Sequence, residues 1–195
     1  MPKKEVETYC PKSRTDWRNW LEKNHQLKQA VWLVYYKSST KVDSIIWSEA
    51  VDEALCFGWI DSTKKTIDKE RYMQYFTKRK PYSNWSKVNK EKVAKLIQNN
   101  RMTKAGFDSI ETAKQNGSWT MLDEVEALVI PDDLKEQLIT CKNAMKYFDN
   151  LSKSNKKLLL YWVVSAKRKE TRQKRVFEIV ENASNNLKPK QFRVR

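Results

Sequence analysis

The sequence predicts an α+β protein: a small antiparallel sheet packed with helices, followed by a helical C-terminal part. Two observations carry this. Short β-branched and aromatic segments at Val31–Tyr36, Trp59–Asp61 and Arg71–Thr77 fall in the first 80 residues. Beyond Pro81 the apolar residues recur every three or four positions, as one face of a helix requires. At 195 residues with 8 Trp and 11% aromatics, the chain is long enough to bury one substantial core or two small ones.

Taken in order, Asp16–Asn24 reads as a helix: Trp17, Trp20 and Leu21 share a face behind Thr15 or Asp16 as N-cap, with His25 capping its end. Val31–Tyr36 is apolar on both alternating faces and reads as a central strand covered on two sides. Ser48 is placed to cap a helix running to Phe57, whose apolar face is Trp47, Val51, Ala54 and Leu55. Gly58 follows where a left-handed C-terminal cap is wanted. Trp59–Asp61 and Arg71–Thr77 then form a strand pair joined by the basic turn Ser62–Glu70. After Pro81, Trp85, Val88, Val93, Leu96 and Ile97 suggest one helical stripe. Thr103–Asn116, stopped by Gly117, suggests the next helix, and Pro131 opens another with Asp132 and Asp133 near its positive end. Ser152–Lys167 and Glu170–Leu187 are the last two, the final one burying Val176, Val180, Ala183 and Leu187. A domain division is expected where the acidic Asp123–Glu126 stretch precedes Pro131. It separates an α+β domain, residues 1–122, from a helical domain, residues 123–195, with a basic last helix.

Charge narrows the function. Lys and Arg number 39 against 24 Asp and Glu, a net +15, and the excess sits in two blocks: +9 over residues 61–105 and +10 over residues 151–195. Such asymmetry steers an anionic partner, with nucleic acid or an acidic small molecule as the classes to consider. Cys10, Cys56 and Cys141 lie far apart and His25 is the only histidine, so no metal site, cofactor motif or phosphate-binding glycine loop is expected. Met1–Arg14 holds Lys3 and Lys4 with no apolar stretch behind them, and the longest apolar run is Leu158–Val164. The expectation is a cytoplasmic protein with no membrane span and reduced thiols.

Two stretches resemble a known family: "WSEAVDEALCFGWIDS" at Trp47–Ser62 and "RYMQYFTKRKPYSNWSKVN" at Arg71–Asn89. The likeness continues through "WLEKNH" at Trp20–His25, "VWLVYYK" at Val31–Lys37, "RMTKAG" at Arg101–Gly106 and "WVVSAKRKETRQKR" at Trp162–Arg175. On these motifs the chain resembles the YdeI family, labelled bacteriocin-protection or OmpD-associated proteins. Lys78, Lys104 and Lys169 stand where such sequences usually carry proline, which loosens the backbone there and adds charge. The resemblance implies a role in stress or bacteriocin tolerance and supplies no catalytic residues.

The leading expectation is therefore a non-enzymatic protein that recognises an anionic partner through two sets of residues. The first interleaves aromatics with cations, as single-strand binding requires, and includes Arg79, Lys80, Trp85 and Lys87. The second is the surface of Lys167, Arg168, Arg172 and Arg175. The alternative is an enzyme or sensor holding an anionic ligand in a pocket of Trp59, Asp61, Tyr72, Thr77 and Arg79, with Asp61 facing Arg79. Glu49 and Glu53, one helical turn apart, have the spacing of a paired-carboxylate site, but no histidine or metal cluster accompanies them. A Cys56–His25 nucleophile pair would require the two to meet in space. Oligomeric state is not encoded in these patterns.

Overall fold

The computed structural model describes residues 6–193. The basic start containing Lys3 and Lys4 lies outside the described residues. The chain divides into two compact units, the first ending at Trp119 and the second starting at Thr120.

The first unit is built on a sheet whose strands are β1 (Thr8–Tyr9), β2 (Ala30–Tyr36), β3 (Trp59–Thr66) and β4 (Arg71–Lys78), in the order β1-β2-β4-β3. The β2–β4 and β3–β4 pairs are antiparallel. The short β1 adds a parallel edge that the sequence did not signal, so the sheet is mixed. Two residues are too few to carry an alternation that could be read. Register places Val31 opposite Phe76, Leu33 opposite Gln74 and Tyr35 opposite Tyr72, and this face is the buried one. Exposure along β2 alternates, with Trp32, Val34 and Tyr36 only half-buried, so the strand is covered on one face rather than two. On the outer face Trp32 lies 4.7 Å from Tyr75, with the Lys65 ammonium 4.8 Å above its ring. These partners explain why an all-apolar run sits on a half-open face.

Helices α1 (Arg14–Asn24) and α2 (Trp47–Cys56) supply the core packed with the buried face. Ser13, not Thr15 or Asp16, caps α1, its hydroxyl accepting the Asp16 N–H at 3.1 Å. Trp17 and Trp20 stack at 5.0 Å, Trp17 meets the Phe76 ring edge at 5.6 Å, and the Trp17 indole donates to the Ala50 carbonyl at 3.0 Å. His25 does close α1, its backbone N–H and Nδ1 both lying within 2.9 Å of the Leu21 carbonyl. α2 begins at Trp47 with no side-chain cap, because Ile46 holds the cap position; Ser48 lies inside the helix and its hydroxyl accepts from Lys92.

Two further helices complete this unit, α3 (Lys87–Gln98) and α4 (Lys104–Gln115). Ser86 caps α3, which leaves Trp85 outside the helix but buried. The stripe narrows to Val93 and Leu96, since Val88 and Ile97 face solvent. β3 runs past Asp61 to Thr66, with a register irregularity between Asp61 and Lys64, so the turn is shorter than the one expected from Ser62. α4 docks on the end of α2 through glycine: the Thr103 hydroxyl donates to the Cys56 carbonyl at 2.7 Å, and Gly106 lies against that same carbonyl.

The second unit is helical: α5 (Asp123–Glu126), α6 (Asp132–Thr140), α7 (Lys142–Asp149), α8 (Lys153–Val164) and α9 (Lys169–Ser184). Pro131 is the N-cap of α6 rather than its first turn. Its core gathers Leu134, Leu138, Phe148, Leu159, Leu160, Val163, Val176, Ile179 and Ala183. Leu187 is past the end of α9 and largely exposed, and Ile179 takes the place expected of Val180, which is half-buried. Among the described residues no helix is long and apolar enough to cross a membrane.

The α2–α4 contact leaves no room for a side chain at Gly106. A Cβ at Gly106 would stand 2.4 Å from the Cys56 carbonyl oxygen and 2.9 Å from its carbon, both backbone atoms that cannot step aside. Gly106→Ala is expected to lower stability by about 1–3 kcal/mol through overpacking. Urea unfolding followed by tryptophan emission checks this, since seven of the eight Trp lie in the first unit.

Candidate anion-binding cleft

α2 carries a carboxylate where its neighbours are apolar. Ala50, Val51, Ala54, Leu55 and Cys56 are all buried, and Glu53 among them is fully buried too. An unpaired carboxylate in that position would be prohibitively costly. Three guanidinium groups meet it. Arg14 Nε and Arg101 Nη2 each reach Oε1 at 2.5 Å, and Arg18 Nη1 reaches Oε2 at 2.8 Å. Arg14 and Arg18 come from α1, one turn apart, and Arg101 comes from the connector between α3 and α4. Arg18 also donates to the Arg101 carbonyl at 3.1 Å and lies 5.2 Å from the Phe57 ring centre, so the cluster is braced from several sides. Burial alone would raise the Glu53 pKa, but hydrogen bonds from Arg14, Arg18 and Arg101 outweigh it and hold the carboxylate below its ordinary range.

One carboxylate does not neutralise three guanidinium groups. Beside them Lys92 is held by Asp52 at 2.5 Å and by the Ser48 hydroxyl at 2.8 Å, a locally balanced pair, and Lys95 stands exposed. These groups line a cleft of about 590 Å³ bounded by Arg14, Ser48, Asp52, Lys92, Lys95 and Arg101. Counting Glu53 and Asp52 against Arg14, Arg18, Arg101, Lys92 and Lys95, the cluster carries an excess of three positive charges. The exposed Glu22, 3.4 Å from Arg18, and Glu49, whose charge also acts on Arg14, offset that excess in part. The buried Arg101 Nε has no hydrogen-bond partner among the described residues. Fixed guanidinium and ammonium donors around such a cleft can hold an oxyanion by charge-assisted hydrogen bonds.

Of the residues expected from sequence, the structure groups some and separates others. Arg79, Lys80 and Trp85 line one small cleft of about 170 Å³ with Asp108, Ser109 and Thr112. The Arg79 guanidinium lies flat against Trp85 at 3.6 Å and donates to the Asn84 carbonyl at 3.2 Å. Burial lowers its pKa to about 10, with the Asp61 carboxylate acting in the opposite sense. Asp61 does not form an ion pair with Arg79. Its Oδ2 accepts instead from Trp47 Nε1 at 2.9 Å and Gln74 Nε2 at 3.0 Å. Trp59 is fully buried core, donating to the His25 carbonyl at 3.4 Å, and Thr77 pairs with Ile60, out of step with the buried residues Gln74 and Phe76. Lys87 is solvent-exposed, 3.9 Å from Glu91. Tyr72 stacks on Tyr35 at 4.8 Å near Trp47 and Gln74.

In the second unit Lys167 and Arg168 are exposed, as a partner surface requires. Arg172 and Arg175 are engaged within the fold. Arg172 grips Asp133 with two bonds of 2.6 and 2.8 Å, and Arg175 donates to the Trp162 carbonyl at 2.6 Å. The Glu49–Glu53 spacing produces no acid–base pair, because Glu53 is consumed by the arginines. Cys56 is buried and its thiol is pushed up to about 11, chiefly by burial. His25 packs on Phe57 and keeps its Nδ1 on Leu21.

Sequence reasoning passed over Arg14, Arg18, Lys95 and Arg101, and took Lys92 only as one of the cations interleaved with aromatics. A signal was present: Glu53 interrupts an apolar helix face, and a carboxylate there demands cationic partners. Which cations answer it depended on the fold.

Together these features define an α+β protein with a cationic cleft in its first unit. The chain belongs to the family described as a domain of unknown function (DUF8412), which matches residues 9–109, just over half its length. Residues 127–186 match a second family, described as bacteriocin-protection, YdeI or OmpD-associated. The YdeI resemblance thus rests on the second unit, where "WVVSAKRKETRQKR" lies. The motifs from Trp20 to Gly106 fall in the stretch matched by the first family. No curated protein and no solved structure matches the chain.

Glu53→Gln keeps the shape but removes the buried counter-charge shared by three partly exposed guanidinium groups, and is expected to cost about 1.5–3 kcal/mol. The folded pKa of Glu53 lies below its unfolded value, so its contribution is present at neutral pH and is lost as pH falls through the carboxylate range towards the folded pKa. Unfolding of the first unit measured from pH 7 down to pH 3 is expected to show an acid-side loss that Glu53→Gln flattens.

Proposed function

We propose that this chain is a non-enzymatic binding protein for an anionic partner, and that the Arg14–Lys92–Lys95–Arg101 cleft holds the partner's anionic group. The observation that supports this is the ratio at Glu53: three guanidinium groups, one carboxylate, and an adjoining cleft of about 590 Å³ to which Lys92 and Lys95 add further cations. A structural ion pair needs one arginine. Three, with a buried Nε left unpaired among the described residues, keep a surplus positive field that a phosphate or carboxylate would satisfy.

Nucleic acid is the partner class we favour. The two basic blocks supply charge beyond the cleft, with Lys80 and Lys87 exposed in the first unit and Lys167 and Arg168 exposed in the second. The printed description of the family matched by the second unit, bacteriocin-protection, suggests tolerance of bacteriocins as the physiological outcome.

Fluorescence-anisotropy titration of labelled single- and double-stranded DNA and RNA at two salt concentrations tests the reading. Lys95→Glu is expected to weaken binding by about tenfold and to flatten the dependence on salt. Lys135→Glu makes the same charge change on α6, in the second unit, and is expected to change affinity less than about twofold. Equal losses from both variants would mean that net charge alone attracts the probe, and the cleft assignment would fall.

A further inference from the structure

The first turn of α2 presents a second feature that the cationic cleft does not use. Trp47 is 46% exposed, although a large indole normally gains by burial. It is nevertheless held in one orientation: its Nε1 donates to Asp61 Oδ2 at 2.9 Å. Asp61 is itself fixed by the nearly buried Gln74, whose Nε2 donates to the same oxygen at 3.0 Å and to the Ser62 carbonyl at 2.9 Å. The indole is therefore an exposed ring on a rigid mount.

Its neighbours are equally ordered. Tyr72 lies parallel to the fully buried Tyr35, with ring centres 4.8 Å apart and planes 4° from parallel. The Lys64 ammonium sits 4.1 Å from the centre of the Tyr72 ring and has no carboxylate partner among the described residues. Trp47 and Tyr72 both line two clefts. One, of about 350 Å³, is completed by Lys64 and Gln74, and the other, of about 470 Å³, by residues that include Tyr36, Val42 and Ile46. The only carboxylate in this group, Asp61, spends one oxygen on two N–H donors, while Lys64 stands free at the rim.

From this geometry we infer that Trp47, Tyr72 and Lys64 form a binding site for a planar aromatic ring bearing an anionic group. The ring stacks on the Trp47 indole and the anionic group meets the Lys64 ammonium. An apolar ring held in place at the surface offers stacking area with its orientation already paid for, and every planar heterocycle or aryl group has a face to match it. Lys64 selects the charge: a neutral ring gains the stack alone. The site shares the ligand's charge sign with the function proposed above, but no side chain with the Arg14–Arg101 cleft, so each stands or falls separately.

Two probes carry the chemistry, adenosine 5′-monophosphate and benzoate, with adenosine as the uncharged control. Calorimetric titration of the full chain is expected to show binding of the charged probes, with adenosine weaker. Trp47→Ala is expected to weaken the charged probes by about tenfold or more, and Trp47→Phe, which keeps a ring but loses the Asp61 tether, by an intermediate factor. Lys64→Met is expected to bring adenosine 5′-monophosphate down to adenosine's level. Lys135→Glu, on α6 of the second unit, is expected to change none of these affinities, and any charged-probe binding that Trp47→Ala spares and Lys95→Glu removes belongs to the cleft. A response to the nucleotide alone, or to benzoate alone, identifies the source of the ring and supports the site. Absence of binding by both charged probes, unchanged affinity in Trp47→Ala with an unaltered far-ultraviolet dichroism spectrum, or measurable binding of adenosine as tight as that of its phosphate in the wild-type chain would overturn it.

Discussion

A single buried carboxylate organises the first unit. Glu53 sits in the apolar face of α2 with no exposure to solvent, and it is tolerable there only because α1 and the connector after α3 bring Arg14, Arg18 and Arg101 to it. That requirement ties three separate segments to one point. It also sets the register of α1 on α2, since Arg14 and Arg18 reach the carboxylate only when Trp17 between them faces the core and donates to Ala50. Scaffold and candidate site are in this sense the same set of residues: the charge that makes Glu53 bearable exceeds what Glu53 needs, and the surplus lines the cleft.

α2 is consequently the element on which most else converges. Its first turn offers Trp47 and Ser48 to two different clefts, its middle holds Glu53, and its end receives α4 through Gly106 and Thr103. Gly58, at φ +70°, turns the chain directly into β3, where a Cβ would stand 2.9 Å from the Ala105 carbonyl. Helix, turn and strand are thus joined with no slack, which explains why Asp61, three residues later, can fix an indole on the opposite end of the same helix.

The two matched families divide as the fold does. The stretch assigned to the family of unknown function lies within the first unit, and the stretch matching the bacteriocin-protection description lies within the second. The second unit is held by an ordinary apolar core and by exposed or half-exposed ion pairs such as Arg172–Asp133, which contribute little individually. Its basic face differs in kind from the first unit's cleft. There the cations are Lys167 and Arg168 on a solvated surface, whereas Arg14, Arg18 and Arg101 are oriented by a buried partner.

Local patterning in the sequence settled the α+β class, the helices α1, α2, α4, α8 and α9 and the strands β2 to β4, because periodicity, capping chemistry and Gly58 act over a few residues. It misread features that depend on a neighbour. α2 started a residue before Ser48 and left Ile46 at its cap, Trp85 left the α3 stripe to lie under Arg79, and the outer face of β2 stayed half-open because Trp32 found Tyr75 and Lys65. The site was legible only in fragments. Arg79, Lys80 and Trp85 do share a cleft, whereas Glu53 was read only for its spacing from Glu49 and not for the cations its burial requires. That Asp61 would choose Trp47 and Gln74 over Arg79, and that the cations for Glu53 would be Arg14, Arg18 and Arg101, was decided by tertiary structure alone. Arg101 lies 48 positions from Glu53 and 83 from Arg18, and a charged side chain's partner is set by distance and desolvation, which sequence spacing does not carry.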